Sequence, residues 1–454
     1  MYAAMAWPLN ATAIDPFATE DLIEHGQLDR VADVNHCARE KILSPLTLAD
    51  VVDLALCNNP QTRSLWASAR AQAAQVGVST AAYLPTLSAL ASVSNKQSQT
   101  GSQAQVNSTS QTVSLSANYL LYDFGGRSAT LENAKQLLIA ANATRDASLQ
   151  SNFLSAVQAY YGLLSARASV QSFQADELKA QESLAAAQAR YQAGVATPVD
   201  RLQAKTTLSQ ARLNRIRGEG DASNAQGTLA NIMGFDASQL YTLKAVAEET
   251  PDPVIEKDIG KLIAAARQKR PDLAAAESQI KAAEAQLQAT KATGRPAITV
   301  GALAGVSNPD IQNSSAIQSS SLGVTLNVPL FSGFKTTYQV RAEEAKVEGR
   351  VAERDRLANQ IALDVWKTYQ GLLTNSQALR SADDLVLAAT ESEKVVLGRY
   401  KAGVGNILDT LTVQSALANA RQQRVSALYN FLISRFALAQ AIGLLDLTQI
   451  NGRN

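Results

Sequence analysis

Two hydrophobic periods alternate along this chain. Thr47 can cap a helix that begins at Leu48, and Ala-rich sequence of helical period continues to about Thr80. The period then falls to two. Leu87, Ala89, Ala91 and Val93 alternate with Ser88, Leu90, Ser92 and Ser94. Beyond a polar Ser/Gln/Asn stretch, Val113, Leu115, Ala117, Tyr119 and Leu121 alternate with Thr112, Ser114, Ser116 and Asn118. These predict a β-hairpin over 85–122. A second is predicted over 296–331, with Ile298, Val300, Ala302, Ala304, Val306, Leu322, Val324, Leu326, Val328 and Leu330 on the apolar side and Ser321, Gly323, Thr325 and Asn327 on the other. Each strand is apolar on one side and small or polar on the other for about ten residues, the length and alternation of a strand with a lipid face and a wet face. Taken alone, the strands also fit an antiparallel sheet half-buried on a soluble core.

An aromatic-glycine junction closes each hairpin: Tyr122-Asp123-Phe124-Gly125-Gly126, then Phe331-Ser332-Gly333-Phe334. Proline-free helical sequence follows over 125–192 and 334–401. A helix from Gly126 to Gln192 would reach about 100 Å at 1.5 Å per residue, too long for a compact domain. Such helices need lateral partners along their whole extent, as in coiled coils or bundles. Turns at Ala193 to Pro198 and Ala402 to Asn406 send the chain back into shorter helices over 198–233 and 407–441.

The two halves carry the same motifs. Arg190-Tyr191-Gln192-Ala193-Gly194-Val195, followed by Asp200, returns 209 positions later as Arg399-Tyr400-Lys401-Ala402-Gly403-Val404, followed by Asp409. Tyr160 and Gly162-Leu163-Leu164 return as Tyr369 and Gly371-Leu372-Leu373. Asn59-Pro60 and Pro85 align with Arg270-Pro271 and Pro296. The organisation expected is an N-terminal extension (1–45), a first repeat (46–234), a connector (235–257) holding Pro251 and Pro253, a second repeat (258–445) and a tail (446–454). Each repeat has the order helix, hairpin, long helix, shorter helix. Four strands cannot close a barrel, and an open edge in lipid leaves backbone groups unpaired, so closure requires several chains. The fold expected is an α+β membrane protein. Three chains give a twelve-stranded transmembrane β-barrel continuous with an antiparallel α-helical barrel.

Composition narrows the function. The formal net charge is +1 and charged residues are 18%, so no basic field exists to hold nucleic acid. No run of 18 apolar residues is present, so no helix is expected to cross a bilayer alone. Residues 1 to 30 lack a basic start and a long apolar segment; Ala4-Met5-Ala6 fits the end of a cleaved signal. The two histidines, His25 and His36, lie outside both repeats, and no Gly-rich phosphate loop follows a strand. No enzyme activity, catalytic residue, cofactor or metal site is expected. Cys37 and Cys57 are candidates for a disulfide in an exported protein, worth about 3 kcal/mol in the chain-entropy view. Two free thiols in a reducing compartment, with Cys57 buried on a helix, is the alternative.

The residues resemble the TolC-type outer-membrane channel proteins of drug efflux pumps and type I secretion systems. The resemblance rests on Leu46-Thr47-Leu48-Ala49-Asp50 through Asn58-Asn59-Pro60, Leu84-Pro85, the Tyr122 to Gly126 junction, both Arg-Tyr-x-Ala-Gly-Val turns, and Tyr429-Asn430-Phe431-Leu432-Ile433 with Ala441-Ile442-Gly443. It covers residues 46 to 445. It implies a homotrimer with its barrel in the bacterial outer membrane and its tunnel in the periplasm, meeting a periplasmic adaptor (membrane fusion) protein and an inner-membrane transporter of ABC type. By position, Asp200 and Tyr400 match a periplasmic gate pair, and Asp409 matches an acidic residue that rings the pore. An arginine and a second pore aspartate of the family are replaced here by Gly405 and Thr412. The turns Ala193, Gly194, Val195 and Ala402, Gly403, Val404 suit adaptor docking, and turn chemistry alone also accounts for them. Asp200 and Asp409 equally suit helix capping or a first-turn carboxylate. The resemblance leans toward type I secretion of a protein toxin or exoenzyme, with drug efflux as the alternative and a soluble periplasmic coiled-coil adaptor as the second.

Overall fold

A computed structural model of the chain describes residues 15–23, 45–99, 106–244, 258–310 and 315–445. After a short 3-10 turn at Thr19–Leu22 the elements are α1 (Leu48–Asn58), α2 (Pro60–Ala81), β1 (Thr86–Ser98), β2 (Val106–Tyr122), α3 (Gly126–Gln192) and α4 (Pro198–Ile232). They continue with α5 (Ile259–Lys269), α6 (Pro271–Ala292), β3 (Ala297–Asp310), β4 (Ile317–Asn327), α7 (Lys335–Lys401) and α8 (Ile407–Ile442). Both α3 and α7 run 67 residues without a break.

Local chemistry sets the boundaries. Thr47 opens α1 with a capping box: its side chain accepts the Asp50 amide while the Asp50 carboxylate accepts the Thr47 amide. Asp123 accepts the Arg127 amide at 2.6 Å where α3 starts. The single helix expected from Leu48 to about Thr80 is in fact two, and the same holds in the second half. Asn59 and Arg270 are extended, with ψ of 125° and 122°. Each precedes a proline, whose ring excludes the preceding residue from the helical region while suiting the first position of the next helix. β4 also stops at Asn327, short of the expected Val328 and Leu330. Pro329 has no N–H to offer a ladder, which ends the strand there.

The chain divides into two compact units. The first gathers Met1–Glu24, Ala67–Ala143 and Ala274–Asp355 and contains the sheet. All four strands pair antiparallel in the order β1-β2-β3-β4, which leaves β1 and β4 as edges.

The second unit gathers His25–Trp66, Thr144–Leu273 and Arg356–Asn454. Its core joins Val51, Val52 and Leu56 of α1 to Phe153, Val157, Tyr160 and Leu163 of α3, to Ile361 and Val365 of α7, and to Phe431, Leu432 and Ile442 of α8. Burial pushes the Tyr160 phenol up to about 12. Before α5 the chain is tied back to α1, where Leu46 donates to the Thr242 carbonyl and accepts from Lys244, each at 2.8 Å. Connector residues 245–257 lie outside the described residues. One expectation needs correction: α8 contains an 18-residue stretch with a mean hydropathy of 1.3, enough by length and composition to cross a bilayer. Its Phe431, Leu432, Leu438, Ala441 and Ile442 are spent on the core of this unit instead.

Candidate functional site

The first candidate surface is the sheet. Cross-strand partners share a face, and register sets Leu87 beside Ala117, Ala117 beside Ala302 and Ala302 beside Leu322. One strand pair along, Tyr119 faces Val300 and Val300 faces Val324. The apolar positions of four separate strands therefore merge into one continuous face. The opposite face is hydroxyl-rich: Ser88 and Ser116 meet at 2.7 Å, and Thr112 and Ser307 at 3.3 Å. No described strand residue is buried. Leu322, Val324 and Leu326 are 79%, 70% and 61% exposed, so the apolar face packs on no core of this chain. A sheet half-buried on a soluble core is excluded by that exposure.

The second is the pair of turns joining α3 to α4 and α7 to α8. They are built alike. Gly194 donates to the Tyr191 carbonyl and Val195 to the Arg190 carbonyl, each at 3.0 Å; Gly403 and Val404 donate to Tyr400 and Arg399, each at 3.1 Å. This double bond is the Schellman stop, and it needs a left-handed residue, supplied by Gly194 at φ +75° and Gly403 at φ +82°. A Cβ on either glycine would meet no atom within 4 Å, so backbone angle alone demands glycine there. Ala193, Gly194, Val195, Ala402, Gly403 and Val404 are all exposed. Gly405 differs. A Cβ there would lie 2.8 Å from the Tyr400 amide nitrogen and 3.1 Å from the Arg399 carbonyl carbon.

Among the gate residues, Asp200 closes a capping box with Thr197, accepting the Thr197 amide at 2.8 Å while its own amide donates to Thr197 Oγ1 at 3.3 Å. Asp409 is exposed in the first turn of α8, where Asn406 caps the helix by accepting the Leu408 amide at 3.0 Å. Tyr400 is buried in a small cluster with Ala187, Ala204, Ile407 and Leu411, one or two residues from each helix that meets there. Burial pushes its phenol up; the charge of Asp200 adds to that, and Arg190 opposes it.

The partner that sequence reasoning missed is Arg190. Its guanidinium lies 4.8 Å from the Tyr400 ring centroid, and its Nη1 donates to the Tyr400 carbonyl at 3.1 Å, tying α3 to α7. It stands in the duplicated motif, yet its counterpart Arg399 is exposed and Tyr191 pairs instead with Arg201, at 4.9 Å. Cys57 sits on α1 and is engaged in a disulfide. Cys37 lies outside the described residues.

Comparison with known proteins agrees with this arrangement. A family model described as "Outer membrane efflux protein" matches residues 51–235 and 262–444. The chain is 30% identical to "Protein CyaE" of Bordetella pertussis over 415 residues, covering 90% of this chain and 86% of that one. It is 23% identical to "Outer membrane protein TolC" of Vibrio cholerae, covering 88% and 91%. Among solved structures, a membrane protein from Pseudomonas aeruginosa superposes with a TM-score of 0.79 at 23% identity, covering 87% of this chain and 93% of that one. The CmeC outer membrane channel of Campylobacter jejuni gives 0.77 at 17% identity, covering 89% and 88%. The family is one of transport channels of the bacterial outer membrane, with a tunnel in the periplasm. With 185 and 183 residues matched to its model out of 454, the chain belongs to the outer membrane efflux protein family, the TolC-type channels.

Proposed function

We propose that three copies of this chain form a channel-tunnel, the exit duct of a tripartite export system. Each copy adds four strands to a twelve-stranded barrel and its long helices to a periplasmic tunnel, and the two halves of the chain act as pseudo-equivalent repeats. The observation that carries this reading is the sheet: one layer, two open edges, and an apolar face with no buried residue among those described, its Leu87, Val113, Leu115, Leu322 and Val324 all exposed. Lipid satisfies the face, and edge-to-edge pairing of β4 with β1 of the next copy satisfies the backbone. The reading leaves the soluble adaptor alternative without support.

At the periplasmic end, Asp200, Tyr400 and Asp409 are the proposed gate, now with Arg190 as the group that holds Tyr400. Three Asp409 carboxylates around a narrow axis would draw cations and resist one another's ionisation. The two Gly-bearing turns, presented six times per trimer, are the proposed docking points for the helical hairpins of a periplasmic adaptor, which connects to an inner-membrane transporter of ABC type. The cargo proposed is a protein toxin or exoenzyme, a reading supported by the 30% identity to "Protein CyaE" over 90% of this chain; the partner proposed for the Cys57 disulfide is Cys37. Drug efflux is the alternative, favoured by relatives such as "Outer membrane protein OprJ" and "Antibiotic efflux pump outer membrane protein ArpC".

Planar-bilayer recording tests the pore. Wild type is expected to conduct with cation preference and Asp409→Ala to lose that preference; unchanged selectivity would remove Asp409 from the constriction. Native mass measurement in detergent giving any stoichiometry other than three would remove the barrel.

A further inference from the structure

Within the first unit, the two aromatic-glycine junctions share a backbone and differ in charge. Phe124 and Gly125 take φ of +54° and +98°, and Gly333 and Phe334 take +62° and +63°. Each junction also sets an aromatic pair edge to face, Tyr122 with Phe124 at 4.7 Å and Phe331 with Phe334 at 5.4 Å. The first junction neutralises itself. Its Asp123 carboxylate lies 3.6 Å from Arg127, whose guanidinium sits 4.8 Å from the Tyr83 ring centroid and donates to the carbonyls of Ala82 and Leu121 at 3.4 and 3.2 Å. In the second repeat Asp123 becomes Ser332 and Arg127 becomes Thr336, so two hydroxyls 3.3 Å apart stand in place of the ion pair.

Around that second junction lie cations with no carboxylate to match them. Arg295, just after α6, donates Nη1 to the Phe124 carbonyl at 2.9 Å. A Cβ on its neighbour Gly294 would lie 3.1 Å from Thr336 Cγ2, which sets Arg295 beside the start of α7. Lys335 opens that helix, and Arg341 lies 5.6 Å from the Tyr338 ring centroid. The acids nearby are already matched, Glu343 with Lys346 at 2.8 Å and Glu344 with Lys291 at 3.5 Å. Among the described residues no carboxylate pairs with Arg295, Lys335 or Arg341, and all three are exposed. Phe331, Phe334 and Tyr338 beside them are 76%, 63% and 66% exposed.

The strands hold no charged residue apart from Lys96 and Asp310, both toward their far end. Charge therefore returns abruptly where the sheet meets the helices. With the apolar face of the sheet in hydrocarbon, that level is the rim of the bilayer, where aromatic rings sit among the headgroups. A guanidinium fork fits phosphate oxygens there, and basic side chains at an anionic leaflet strengthen binding. We propose that Arg295, Lys335 and Arg341 form a binding site for the phosphodiester of an anionic phospholipid in the leaflet that faces the helices. The lipid supplies to the second junction the negative charge that Asp123 supplies to the first. The inference rests on the channel reading above, which sets the level of the bilayer.

Spin-labelled phosphatidylglycerol and spin-labelled phosphatidylcholine, each in phosphatidylcholine vesicles holding the full chain, test the site. Wild type is expected to associate with phosphatidylglycerol about fivefold or more over phosphatidylcholine, and Arg295→Gln/Lys335→Gln/Arg341→Gln to bring that ratio within about twofold of unity. Arg350→Gln, a paired cation about 22 Å further along α7, is expected to leave the ratio unchanged. A ratio near unity in wild type, an unchanged ratio in the triple variant, or an equal loss in Arg350→Gln overturns the site. Should the triple variant not insert, Ser332→Asp decides. Giving the second junction the carboxylate of the first is expected to lower the preference about threefold or more with pore formation intact, and an unchanged preference overturns the proposal. Sodium phosphate that displaces labelled phosphatidylglycerol better than sodium chloride at matched ionic strength shows a free-anion site and overturns the lipid assignment. A wild-type chain that forms no pore in planar bilayers sinks the channel reading itself, whereas a conducting wild type without preference for phosphatidylglycerol sinks only the lipid site.

Discussion

Leu322 and Ser321 are neighbours at the middle of β4, and the pleat turns their side chains to opposite faces of the sheet. Leu322 continues the apolar row through Ala302, Ala117 and Leu87, whereas Ser321 faces Leu303, whose other neighbour is Ser116. If the apolar row meets hydrocarbon, an arginine at Leu322 stands near the bilayer midplane and costs about 2–4 kcal/mol. At about 1.4 kcal/mol per factor of ten, that lowers the folded-to-unfolded ratio roughly 30- to 700-fold. Ser321→Arg turns the same side chain into the wet interior, and its cost is expected to stay under about 1 kcal/mol. Urea titration of folding into phospholipid vesicles measures both, with trimer recovery from outer membranes as the cellular readout. Two arginines one residue apart thus act as a ruler for which face is wet. Equal losses at the two positions, or a larger loss at Ser321, would refute the assignment of the lipid face.

Gly403→Ala should cost about 1–2 kcal/mol in thermal unfolding, because φ of +82° opposes a side chain although the space is open. Gly405→Ala should cost more and also alter conductance, because its Cβ strikes the Tyr400 backbone; equal effects at 403 and 405 would contradict this geometry. Thr197→Ala removes one half of a capping box and should cost about 1 kcal/mol, with faster amide exchange in the first turn of α4 as the local signature. Tyr160 and Tyr241 are both pushed up to about 12 by burial. A phenol with a raised folded pKa contributes stability that is complete below pH of about 10 and is lost as pH climbs toward about 12. Each group therefore takes away on the order of 2 kcal/mol across that window, which alkaline denaturation with Tyr160→Phe as the comparison would show.

Much of this fold was legible in the sequence because its signals are local. The switch from period 3.6 to period 2 located all four strands, and the uninterrupted stretch after each aromatic-glycine junction located α3 and α7. Proline was underread. Asn59-Pro60 and Arg270-Pro271 served to align the repeats, yet the same dipeptides break each N-terminal helix through steric exclusion of the residue ahead. At the turns, identical motifs hid unequal roles: Arg190 and Tyr400 engage each other, while Arg399 and Tyr191 face outward. That asymmetry depends on which helix packs inward, which no motif records. The ion pair of Lys179 on α3 with Glu393 on α7, at 2.8 Å, was invisible for a related reason. Lys179 and Glu393 lie 214 positions apart, and only the folded helices make them neighbours.

The two unpaired rims of the sheet shape the life of the chain before it ever carries cargo. A lone copy, once across the inner membrane, holds a greasy ribbon that its own interior cannot shelter and two borders ready to zip onto any extended peptide they meet. Under the proposed trimeric barrel, both borders and the ribbon stay uncovered until sibling chains and a bilayer are met together, which makes the interval before assembly the chain's most aggregation-prone.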